Sequence, residues 1–194
     1  MKPARGAAAA NWALGALAAQ LAASFFLYRA DPLPGAVLML ACYAMQMWAS
    51  HLLRCPVALA AAVSGAALSA LRLGGLSAGW ADDLLLNLLF LLQYLPMQRS
   101  FDRLMQAADV SEQTRRLGRI WAVTALIQRG ASMMGCLPVL QQQAVLSLQQ
   151  GGYTALFRVQ LGLEIIALLA AMVSYIWMVR YLWRARVLLG EESV

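Results

Sequence analysis

From residue 7 to residue 28 the chain carries no charged side chain, and a run of that length narrows the possible folds more than any other feature. About 20 apolar residues in a helix cross the roughly 30 Å hydrocarbon layer of a bilayer. Similar runs occupy residues 35–53, 57–73, 80–97, 120–140 and 155–177. Lipid offers the backbone no hydrogen-bond partners, so each crossing segment must be helical. The expected fold is all-α: a polytopic transmembrane helix bundle of six spans, forming a single domain over residues 1–194. Composition agrees, with 62% of residues hydrophobic and 12% charged, against about 45–50% and about 25% in soluble domains.

Lys2 and Arg5 precede the first run, as in a secretory signal. The apolar core of such a signal spans only about 7–15 residues, so a retained first helix is expected. The net charge of +6 sits at the ends of the apolar runs and between them. That distribution sorts topology and points to the bilayer as partner, with no nucleic acid. With six spans, Lys2, Arg5, Arg54, Arg99, Arg103, Arg115, Arg116, Arg119, Arg180, Arg184 and Arg186 share one side, and Arg29 and Arg72 the other. The positive-inside rule then places both termini and the polar segment 98–119 in the cytoplasm. The usage of Ala, Leu and Arg suits a bacterial inner membrane. Within 98–119, Phe101, Leu104 and Met105 recur at helical spacing and predict a short surface helix, with a further helix starting near Ser111.

Small residues mark docking faces. Gly15, Ala19 and Ala23 lie four apart in the first run, with Ala18 and Ala22 beside them. In the third, Ala58, Ala62, Ala66 and Ala70 form one row, and Ala61, Gly65 and Ser69 its neighbour. Such rows let helix backbones approach closely.

Ionisable residues inside the runs are functional candidates by default. Arg129 falls mid-way along the fifth run and Glu164 well inside the sixth. The two runs are consecutive and antiparallel, so the pair is expected to form a salt bridge flanked by Gln128 and Gln160. It would fix helix register, or serve binding or conduction. A second group, Arg72, Asp82, Asp83 and Arg158, falls near the outer surface and is expected to cluster there. Adjacent aspartates on a helix point to different sides, which argues against a metal site.

His51 and Cys55 are four residues apart around a turn, and a thiol beside an imidazole can act as a nucleophile pair. In this they resemble the small six-span peptidases of the accessory-gene-regulator B type, though Ala49 and Ser50 stand where a glycine pair would precede the histidine. The resemblance implies a membrane-embedded Cys/His peptidase. Cys42, Cys55 and Cys136 otherwise read as free thiols. A single histidine excludes bis-histidine haem, and no phosphate-binding loop or di-metal cluster is written in the chain. No cofactor or metal is expected, and catalysis is not favoured. The favoured role is a non-catalytic subunit of a larger membrane transport or secretion assembly, with other membrane subunits as partners. The alternative is a small solute-binding transport protein. Length, six spans and the Gly15–Ala19–Ala23 row with Ala18 and Ala22 resemble the substrate-binding subunits of energy-coupling-factor vitamin transporters, which implies a docking role for the first helix.

Overall fold

The computed structural model describes residues 3–27, 33–76, 79–107, 112–150 and 154–191. They form seven helices and, among the described residues, no strand: α1 (Pro3–Leu27), α2 (Leu33–Leu52), α3 (Pro56–Leu73), α4 (Trp80–Ala107), α5 (Glu112–Gly135), α6 (Pro138–Gln150) and α7 (Ala155–Glu191). Each of α1 to α4 packs on the next, α5 packs on α7, and α7 returns to α1. The bundle is thus a closed ring of six helices, with α6 attached to α7 on its flank.

Three helices are long and apolar enough to cross a membrane: Leu33–Leu52, Pro56–Leu73 and Ala155–Glu191. A fourth crossing is possible if α5 and the start of α6, bent by 61°, count as one. α1 and α4 are long enough but carry polar residues within them, amides in α1 and amides and acids in α4. Those of α4 mostly turn inward: Asp82, Asn87, Gln93 and Gln98 are buried, while Leu85, Leu88 and Leu92 face out.

The core lies towards the arginine-rich end. Tyr94, Met97, Phe101 and Met105 of α4 meet Trp121 of α5, Met178, Tyr181, Leu182 and Leu189 of α7, and the alanines of α1. Trp121 and Tyr181 lie with ring centroids 5.7 Å apart, and Tyr94 and Phe101 add edge contacts. At the other end α7 is thinly covered, and Ile165, Leu168, Leu169 and Met172 remain exposed.

Several expectations need correction. The segment 98–119 holds no separate surface helix. α4 runs on to Ala107 and α5 begins at Glu112, because Gln98, Phe101 and Met105 continue the buried stripe of the span before them. The fifth run is not straight to residue 140. It breaks at Cys136–Leu137, where Pro138 starts α6, and α6 takes up most of the expected 141–153 loop. On α1 the buried positions are Gly6, Ala9, Ala10, Ala13, Ala16, Leu17 and Ala23, whereas Gly15 and Ala19 are half-buried and Ala18 is exposed. The docking face is therefore rotated from the Gly15–Ala19 row, of which only Ala23 is buried. On α3, Ala58, Ala61, Ala62 and Gly65 are buried, Ala66 and Ser69 are half-buried and Ala70 is exposed. The ring of Tyr43 lies against Gly65, so close that a Cβ there would stand 2.5 Å from it. Lys2, the Arg29–Asp31–Pro32 loop, the Ser111 start and the Gly151–Gly152 connection lie outside the described residues.

Candidate functional site in the bundle interior

Above the aromatic core the ring opens into a cavity of about 160 Å³. Gln20 comes from α1, Met39, Cys42, Tyr43 and Gln46 from α2, Leu86, Leu89 and Phe90 from α4, and Arg129 from α5. Gln46 donates from Nε2 to the Tyr94 hydroxyl, which ties the cavity to the core. Tyr43 is held by a side-chain hydrogen bond to Ser69 across the α2–α3 seam.

Arg129 does not meet Glu164. Its Nη1 donates to Oδ1 of Asn87 at 3.0 Å, and its guanidinium carbon lies 3.7 Å from the centroid of the Phe90 ring. Asn87 is itself aimed by donating from Nδ2 to the backbone oxygen of Asp83 at 2.8 Å. An aromatic face attracts a cation, and the contact strengthens when water is excluded. Neither partner carries a charge. The Nε of Arg129 is enclosed with no partner, as are the Oε1 atoms of Gln20 and Gln46. Side-chain direction decides the pairing: Arg129 points towards α4, away from the face of α5 that lines the cleft to α7.

Glu164 is exposed on α7 and accepts from Nε2 of Gln160, one turn earlier, at 3.2 Å. With Gln128, Ser132, Cys136 and Gln141 these two line a separate cleft of about 410 Å³ between α5, α6 and α7. The expected buried pair is therefore two distinct sites. Gln128 and Gln160 flank Glu164 and not Arg129.

The outer cluster forms in part. Arg72 reaches Oδ1 of Asp83 at 2.7 Å and Oδ2 of Asp82 at 3.4 Å, joining α3 to α4 across their connection. Arg158 is exposed, and among the described residues no ion pair links it to these aspartates. His51 and Cys55 line an open cleft with Arg5, Trp48 and Arg54. His51 is exposed against the Trp48 ring, while Cys55 is buried at the start of α3, and no hydrogen bond joins them.

A third polar cluster went unread in the sequence. Beyond the apolar part of α4, the Tyr181 hydroxyl donates to Oδ1 of Asp102 at 2.7 Å, and Nε2 of Gln98 donates to Oδ2 at 3.0 Å. Burial holds the Asp102 carboxyl above its ordinary 3.8, against the pull of those two hydrogen bonds. The only signal was that Gln98 and Asp102 are four apart and so share a helix face. Among the described residues no three His, Cys, Asp or Glu side chains come together to hold a metal. No protein-family model, curated protein or solved structure matches the chain.

Proposed function

We propose that α1 to α5 and α7 all cross a bacterial inner membrane, with the arginine-rich ends in the cytoplasm, and that the protein is a non-catalytic subunit of a larger transport or secretion assembly. What supports this reading is the outer half of α7. Glu164 lies nine residues into the helix, roughly 14 Å along its axis. At that depth a carboxylate open to lipid costs several kcal/mol. A neighbouring subunit laid into the cleft between α5, α6 and α7 would remove it from lipid and could donate to it. Native mass spectrometry of the gently extracted protein tests the proposal. A mass containing further chains is expected, reduced to the single chain by Glu164→Leu. A wild-type chain found only alone would overturn it.

A second reading is favoured by a different observation. The cavity around Arg129 has the character of a solute site: mostly apolar walls with a few convergent polar atoms. A small solute-binding membrane protein would purify alone and carry its ligand.

A further inference from the structure

We propose that the cavity around Arg129 binds a small 2-hydroxy monocarboxylate, held by its carboxylate on Arg129 and by its hydroxyl on a glutamine amide. This rests on the solute-binding reading and adds the ligand class to it. Charge comes first. Among the described residues Arg129 is the one charged residue lining the cavity, and its partners are a neutral amide and a ring face. Asp82 and Asp83, the acids nearest in sequence to Asn87, are engaged with Arg72. A guanidinium does not shed its proton in a protein. An enclosed cation without a counter-ion is costly at bilayer depth, and a ligand with a single negative charge removes that cost.

Geometry then selects the anion. Asn87 occupies Nη1, leaving the Nε edge of the guanidinium unpartnered. That edge presents parallel N–H groups matched to the two oxygens of a carboxylate. The two orphan acceptors, Oε1 of Gln20 and Oε1 of Gln46, require a donor. A carboxylate has none, whereas a hydroxyl next to it does. Met39, Leu86 and Leu89 leave an apolar wall for a short alkyl group. Size agrees: an apolar cavity of about 150 Å³ holds a molecule of six heavy atoms, so about 160 Å³ admits lactate.

The test is calorimetric titration of the purified full-length protein in detergent with three probes of one shape: lactate, its neutral amide lactamide, and propionate, which lacks the hydroxyl. Lactate is expected to bind saturably, lactamide and propionate at least tenfold more weakly. Arg129→Gln should abolish the lactate heat while keeping the helical circular dichroism. If that variant fails to fold, the wild-type comparison of the three probes still decides. Equal binding of lactate and lactamide would overturn the anion assignment and leave a solute site standing. Equal binding of lactate and propionate would overturn the role of the hydroxyl. Heat from none of the three would overturn the ligand class and remove the support for the solute-binding reading.

Discussion

Asn87 decides what Arg129 does. Hydrogen bonds to a charged group contribute about 1.5–3 kcal/mol, and Asn87 is pre-aimed by its own bond to the Asp83 backbone. A double-mutant cycle of Arg129→Met with Asn87→Leu should therefore show strong non-additivity, read from unfolding in detergent. The cycle of Arg129→Met with Glu164→Leu should be additive within about 0.5 kcal/mol, because the two residues share no partner. Coupling between Arg129 and Glu164 would mean that they touch after all. A second residue-scale prediction concerns Asp102, which lies past the apolar part of α4. Its carboxyl is held above 3.8 in the folded protein, so the folded state binds the proton more tightly than the unfolded chain. The stabilisation this contributes is fully present below pH 3.8 and fades as pH rises through the folded value. Melting temperatures across that range should fall more steeply with pH for the wild type than for Asp102→Asn. Parallel profiles would show that Asp102 titrates as it does in the unfolded chain.

At the scale of elements, the same substitution should have opposite signs at two places on α5. Replacing a mid-helix glycine by alanine gains about 0.5–1 kcal/mol from the backbone. At Gly130 a Cβ meets nothing within 4 Å, so Gly130→Ala should stabilise by about that amount. At Gly118 the Cβ would lie 2.7 Å from the Tyr181 ring. That ring is fully buried and pinned through its hydroxyl to Asp102, so it cannot yield cheaply. Overpacking of this kind costs about 1–3 kcal/mol, and Gly118→Ala should destabilise on balance. Thermal melts of the two variants check both signs. These contacts also show what was legible in the sequence. The helices followed from apolar length, which is a local property. The pairing of Arg129 did not, since α5 offers it a polar residue on α4 as well as one on α7, and only the rotation of α5 about its axis chooses. The rotation of α1 about its own axis likewise turns Ala9, Ala13 and Ala16 inward in place of Gly15 and Ala19, a choice that a run so rich in alanine leaves nearly degenerate. The break at Pro138 was written in the chain, but the apolar run continues through it and hides the bend.

For the whole molecule, the proposed six crossings turn on α5 and α6. The apolar part of α5, residues 120–135, rises only roughly 24 Å before the bend, short of the roughly 30 Å hydrocarbon layer. α6 is uncharged but holds three consecutive glutamines, and its 61° turn lays it away from the axis of α5. That combination suits a helix that reaches the far leaflet and then turns along its surface, where amides are solvated and apolar residues still find lipid. The arginines argue the same way: Arg99, Arg103, Arg115, Arg116 and Arg119 flank the end of α4 and the start of α5, Arg180, Arg184 and Arg186 lie at the end of α7, these ends pack together, and the positive-inside rule keeps such a cluster on one side. Single cysteines at Ala107, the exposed last residue of α4, and at Gln142, exposed on α6, report on this directly in a background lacking Cys42, Cys55 and Cys136. A membrane-impermeant maleimide should label Gln142→Cys in intact spheroplasts and Ala107→Cys only after the membrane is opened. Labelling of both from outside would reverse the orientation of the α4–α5 end. Protection of both until lysis would mean that α5 and α6 enter and leave from the same face. The chain would then cross fewer times, and the cleft holding Glu164 would open towards the cytoplasm.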